Sequence, residues 1–285
     1  MAIRSVFISK PVYPFFEEVP VDMSWFGGFA LSQKRKCQIS LHENFLAQSP
    51  DKKVLEISST GLMSLGSKLS AMNLSKRTKH GNTSVESAFQ ASKVYVDGAK
   101  TIGPFPEYMF LDGRECKKLV KEASKNLISR KYSFDDMVFY APEHHVTQFY
   151  DFLYLNALLE PENQEAAEEL LAGGYNAFSD LATKSLNCQA RSAAIFVGLV
   201  QAGLIDQVRD YESYLKLFRT TESGRAVNSS AYENVRYLQL LKKIPSYLVV
   251  PCRISEDKVE KYYEEKCSKL TNKKDKNNYL DLVGM

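Results

Sequence analysis
The sequence predicts a mainly α-helical domain, α+β with a few short strands, followed by a C-terminal extension. Three observations carry that expectation. Stretches at 112–129, 147–159, 161–171 and 190–201 are long enough for several helical turns, and they set apolar residues on one face or all round. Runs rich in β-branched and aromatic residues are short and few, at 5–8, 54–58, 137–140 and 247–250. The bulk also suffices, since 285 residues, 44% hydrophobic and 25% charged, can bury a sizeable core.

Residues 1–205 are expected to form one domain that includes an N-terminal extension, and 206–285 a helical extension whose role the sequence leaves open. Residues 1–30 read as an irregular arm with a strand at 5–8 and an aromatic, glycine-containing turn at 25–29. A helix opens at Ser32, a strand covers 54–58, and Gly61 and Gly66 permit sharp turns before a loop at 69–74. Residues 83–95 form a short helix ended by Gly98, followed by a Gly-Pro-Phe-Pro loop at 103–106. Gly173 and Gly174 stop the helix at 161–171, and small, apolar residues make 190–201 a buried helix. Beyond Ile205 the chain alternates an amphipathic helix at 211–218, a polar linker at 219–230, a helix at 232–243, a strand at 247–250 and a charged helix at 255–270.

Composition narrows the function classes. No stretch approaches 18 consecutive apolar residues and no apolar leader opens the chain, so no membrane role and a cytoplasmic location are expected. The five cysteines are odd in number and never spaced Cys-x-x-Cys, which suits free thiols in a reducing compartment. Metal binding has little support, because His144 and His145 are adjacent and lack ligand partners at helical spacing. No phosphate-binding glycine loop or dinucleotide fingerprint is present, and no cofactor is expected. A net charge of +3 does not announce nucleic-acid binding, but Lys34, Arg35 and Lys36, and Lys68 with Lys76, Arg77, Lys79 and His80, cluster ahead of the helix at 83–95. An acidic run at 160–169 lies far along the chain.

That helix carries the chemistry. At 100° per residue, Val85, Ala88 and Phe89 share an inward face while Glu86, Gln90 and Lys93 stack along its flank. An acid and an amine at the edge of a core mark a reactive cleft, although Thr83 with Glu86 equally fits a capping box and the flank equally fits a solvated stripe. Ser70 and Asn73 precede it on a loop where they could bind ribose or phosphate, or make turn hydrogen bonds. Asp180 and Asn187 border the buried helix at 190–201; Asp180 equally fits a helix N-cap.

Leu69-Ser70-Ala71-Met72-Asn73-Leu74, followed by Glu86-Ser87-Ala88-Phe89-Gln90-Ala91-Ser92-Lys93, resembles the two opening motifs of the NADAR (YbiA-like) family. Leu170-Leu171-Ala172-Gly173-Gly174, then Asp180, then Asn187 with Gln189 and Ala190, is similar to its closing part, so the resemblance covers about 55–205. The chain departs from the pattern in lacking Trp-Gly after the Asp, Trp25 being its one tryptophan. Within the family it looks most like the DarG antitoxins that partner DarT-type toxins. The resemblance implies a NADAR-like helical domain and an N-glycosidase that strips ADP-ribose from guanine in DNA, with ADP-ribosylated DNA and a DarT-type toxin as partners. It implies Glu86 and Lys93 as catalytic residues, and Ser70, Asn73, Phe89, Gln90, Asp180 and Asn187 as contacts to the ADP-ribose moiety. The alternatives are an N-glycosidase of ribosylaminopyrimidine phosphates of riboflavin synthesis and a non-catalytic ADP-ribose-binding module.

Overall fold
Alternation within the first strand sets the architecture. In β1 (Ala2–Ser9), Val6 and Ile8 point to one side of a sheet and Phe7 to the other, and all three are buried, so both faces must be covered. The computed structural model describes residues 2–28, 30–97, 100–125, 127, 129, 131–140, 147–181 and 188–219. Val6 and Ile8 pack with Cys37, Leu41 and Phe45 of α1 (Leu31–Gln48), while Phe7 joins the larger core containing α7 (Gln189–Gln201). The sheet runs β2-β1-β10-β3, with β2 (Phe16–Met23) and β10 (Ala177–Ser179) antiparallel to β1, and β3 (Val54–Glu56) parallel to β10. α2 (Ser64–Lys68) abuts β3 so closely that a Cβ on Gly66 would lie 1.9 Å from the Glu56 carbonyl oxygen, which is why glycine stands there.

Two further sheets follow. β4 (Ser75–Thr78) and β5 (Gly81–Ser84) form a hairpin that feeds α3 (Val85–Ala91). The third sheet has the order β7-β6-β8-β9, built from β6 (Lys93–Asp97), β7 (Lys100–Ile102), β8 (Lys131–Phe134) and β9 (Met137–Tyr140), with α4 (Gly113–Ser124) between β7 and β8. Asp135 and Asp136 turn β8 into β9 with φ of 46° and 69°, the left-handed pair that a two-residue hairpin requires.

The mainly helical expectation is therefore corrected: the described residues are 47% helical and 22% strand, with ten strands in three sheets, a mixed α+β fold. Most of the strands that local patterning missed, such as Ser75–Thr78 and Lys100–Ile102, are three to five residues long and hold their shape through ladder partners rather than propensity. The helix expected over 83–95 shrinks at both ends. Gly81–Ser84 is strand, and after Ala91 the chain enters β6, where Tyr95 pairs with Ile102 and Lys93 with Tyr132.

α5 (Gln148–Leu158) and α7 form the centre of the core, buried almost all round. Between them, Asp151 accepts from Arg191 Nη2 and from Ser192 Oγ, each at 2.6 Å, in a buried ion pair. α6 (Gln164–Ala172), entered through a 3-10 turn at Pro161–Asn163, carries acids that answer the basic run of 68–80. Lys68 pairs with Glu165 and Glu169, Lys76 with Glu160 at 2.5 Å and Arg77 with Glu162 at 2.9 Å. Lys68, Lys76 and Arg77 thus face the acidic run, while Lys79 pairs with Asp136 of the β8–β9 turn. α8 (Tyr211–Arg219) closes the described core, with Tyr214 and Leu215 buried and Tyr214 against Phe152. His144, His145, Asn187, the linker beyond Arg219 and the elements expected at 232–243, 247–250 and 255–270 lie outside the described residues.

Candidate active site
The turn at 69–74 seats α3. Glu86 N donates to the Ala71 carbonyl at 2.9 Å and Val85 N to that of Leu74 at 3.0 Å, so backbone carbonyls satisfy two of the orphan amides at the helix start. Ser84, not Thr83, is the N-cap: its hydroxyl accepts from Ser87 N at 3.0 Å, while Thr83 Oγ1 donates to the Met109 carbonyl. Glu86 is therefore not half of a capping box. Its side chain, 10% exposed, is turned to the flank, where Gln90 Nε2 donates to Oε1 at 3.0 Å and Lys117 Nζ of α4 stands 3.5 Å away.

Gln90 links the acid to the amine. Its Oε1 accepts from Lys93 Nζ at 2.6 Å, so one amide touches both, although Lys93 is the first residue of β6 rather than a member of the helix. Lys93 Nζ also lies 4.7 Å from the centre of the Phe89 ring. Burial pushes the Lys93 amine down to about 8, against the upward pull of the Glu86 carboxylate and with a further push from Lys117. A buried carboxyl, a lysine lowered toward neutrality and a bridging amide can together hold or move a proton and offer a nucleophilic nitrogen.

The other predicted contacts are placed less uniformly. Phe89 is 3% exposed and packs among Tyr132, Phe149 and Tyr150, so it braces Lys93 from the core. The Ser70 hydroxyl is buried and accepts from Met72 N, and Asn73 Nδ2 donates to the Ser67 carbonyl at 2.8 Å, so both make local turn bonds here. Asp180 follows β10 and is buried; its charge acts on Glu56, Cys188 and Tyr154. Tyr150, buried against Phe89 and Tyr154, has its hydroxyl pKa raised by burial and by the charges of Glu86 and Asp180. The Cys188 thiol, raised by burial and by Asp180, is unsuited to act as a nucleophile.

Sequence reasoning missed Lys117 and Gly113. A Cβ on Gly113 would meet Met72 Sδ at 2.8 Å and Glu86 Cβ at 3.1 Å, so glycine lets α4 approach the acid. Asp112 N-caps α4, with Oδ1 accepting from Arg114 N at 2.9 Å, and Arg114 Nη2 in turn reaches Ser59 Oγ at 3.4 Å. The only signal was the Asp-Gly-Arg step at 112–114, which reads equally as a turn. No helix among the described residues is long and apolar enough to cross a membrane, and no group of metal-ligating side chains gathers among them. A search of curated proteins finds no match. The family model for the DarT1-associated NADAR antitoxin matches residues 2–228, from β1 through α8, and the chain belongs to that family.

Proposed function
We propose that the protein is an N-glycosidase that removes ADP-ribose from guanine in DNA, as the antitoxin to a DarT-type DNA ADP-ribosyltransferase. The observation that carries this reading is the Gln90-bridged pair of Glu86 and Lys93, with the amine held down to about 8. In the substrate, ribose C1 is bonded to an exocyclic nitrogen that keeps a hydrogen. The Glu86 carboxylate takes the proton of that nitrogen and passes it to the ring oxygen as the C1–O bond opens, leaving C1 an imine carbon. The neutral Lys93 amine adds to C1, and the guanine nitrogen leaves with a proton. Water then adds to the lysine imine, freeing Lys93 and ADP-ribose. Gln90 accepts from Lys93 and donates to Glu86, so it can orient the attacking nitrogen and the acid together. Lys117, exposed beside Glu86, and Arg114, exposed one residue beyond Gly113 and reaching Ser59, suit the diphosphate or the DNA backbone.

The test is release of ADP-ribose from DNA ADP-ribosylated on guanine. Turnover by the wild-type chain and its loss in Glu86→Gln are expected, and full turnover in that variant removes Glu86 from the chemistry. Borohydride added during turnover should leave a ribose-derived mass on Lys93. An unmodified Lys93 together with an active Lys93→Ala variant would sink the imine step. Activity on a ribosylaminopyrimidine phosphate but not on DNA would favour the riboflavin-type reading, and binding of ADP-ribose without turnover a reader.

A further inference from the structure
Away from Glu86, the C-terminal end of β3 and the start of α1 enclose a cavity of about 180 Å³, far above the ~10–15 Å³ that one water requires. Its wall includes Trp25, Phe26, Lys34, Gln38, Glu56 and Leu181. Trp25 and Phe26 are 49% and 37% exposed, large aromatics that a sequestered core would not leave in water. Arg4 lies 5.1 Å from the Trp25 ring and Lys36 5.9 Å from the Phe26 ring. Lys34, Arg35 and Lys36 are all exposed, and no ion pair joins them among the described residues.

The polar floor presents acceptors. Gln38 is 1% exposed; its Nε2 donates to the Thr60 carbonyl at 3.3 Å, an oxygen that can only accept, which fixes the amide's orientation. Gln38 Oε1 is then left buried with no hydrogen-bond partner, a cost that a donor entering the cavity would relieve. Glu56, 3% exposed, accepts from Leu181 N at 2.9 Å and from Ser179 Oγ. A carboxylate has about four acceptor positions, so each oxygen of this cavity-lining residue keeps one to spare. Burial and the Asp180 charge raise its pKa to about 7, so the carboxylate predominates above that pH.

We propose that this cavity takes up an unstacked guanine base of a DNA strand, whose ring stacks on Trp25 and Phe26 while its N–H edge donates to Glu56 and to the Gln38 carbonyl. Guanine sets a ring N–H and an exocyclic amine side by side, two donors for two acceptors. Adenine sets an acceptor beside its amine, and that acceptor would face an oxygen. The strand's phosphates lie on Lys34, Arg35 and Lys36, combining a basic track with aromatic platforms. Ser59 and Arg114 lead from the cavity to Gly113 and Glu86, so one strand can span both places. The choice of DNA as the source rests on the function proposed above; the preference for guanine rests on the cavity alone.

Trp25 is the only tryptophan, so its emission reports on this cavity. Titration with dGMP at pH 8, where Glu56 is ionised, should quench it saturably. Loss of the exocyclic amine in dIMP should weaken binding about tenfold or more, and dAMP should not saturate. Gln38→Leu, which removes the unpartnered oxygen at similar volume, should weaken dGMP by a similar factor. An oligodeoxythymidine carrying one guanine should bind more tightly than the all-thymine strand. Equal responses to dGMP and dAMP, no saturation at millimolar dGMP, or unchanged dGMP affinity in Gln38→Leu would each overturn the proposal. Failure of the glycosidase reading looks different: the wild-type chain would release no ADP-ribose while Trp25 still separated dGMP from dAMP. Glu86→Gln should abolish release and leave the Trp25 titration unchanged.

Discussion
Lys93 offers the sharpest quantitative test, because two opposing influences set its protonation. Burial lowers the amine to about 8 while the Glu86 carboxylate pulls it upward. An amine of that pKa is neutral in roughly a tenth of molecules at pH 7, against about one in 3,000 for an ordinary lysine. If neutral Lys93 attacks ribose C1, single-turnover release of ADP-ribose should rise about tenfold from pH 7 to pH 9 and then level off. Glu86→Gln removes the upward pull, so the Lys93 pKa should fall below 8; Lys117→Met removes a neighbouring cation, so it should rise. NMR of ¹³Cε-labelled lysines reads both shifts without substrate. Stability must follow with the matching sign. Between pH 8 and 10.5 the native chain binds fewer protons here than the unfolded one, so this contribution grows as pH rises and is lost as pH falls through about 8. Its size is on the order of 3 kcal/mol. A Lys93 resonance titrating above 10, or one moved upward by Glu86→Gln, would refute the reasoning.

Gly113→Ala should leave the fold intact but displace Glu86 by a few tenths of an ångström, lowering kcat on the order of tenfold with little change in KM, as measured on ADP-ribosylated DNA. Asp151→Ala strands Arg191 in the core and should cost about 3–5 kcal/mol in urea unfolding. Asp151→Leu combined with Arg191→Met should recover most of that loss. Glu56, raised to about 7 by burial and Asp180, keeps a proton that the unfolded chain has lost between pH 4.5 and 7, so its contribution to stability falls as pH rises across that window. His42, whose ring contacts Ser179 and is lowered to about 4 by burial, works in the opposite sense between pH 4 and 6.5. The thermal midpoint of wild type minus that of Glu56→Gln isolates the glutamate: this signed difference should fall from acid to neutral pH, and a flat difference would show an ordinary carboxyl.

Much of the molecule was legible from local pattern. The helices over 147–159, 161–171, 190–201 and 211–218 all form within a few residues of their expected bounds, because apolar periodicity and glycine stops act within a few turns of chain. The grouping of Glu86, Gln90 and Lys93 was visible too, since four- and three-residue spacings let their side chains touch whether or not the last belongs to the helix. Tertiary structure decided the rest. Seven strands escaped because each owes its extended form to a ladder partner, near in the β4–β5 hairpin and distant where β8 pairs with β6 and β10 with β1 and β3. The basic run at 68–80 looked like a phosphate surface until α6 and the turn before it brought the acids of 160–169 against it. Glu56 passed for one polar position in an ordinary strand; only the packing of α1 and β10 beside it makes that carboxylate buried and acceptor-rich. Short-range chemistry is written in neighbouring letters, whereas desolvation and charge pairing depend on which distant segments exclude water from a given group.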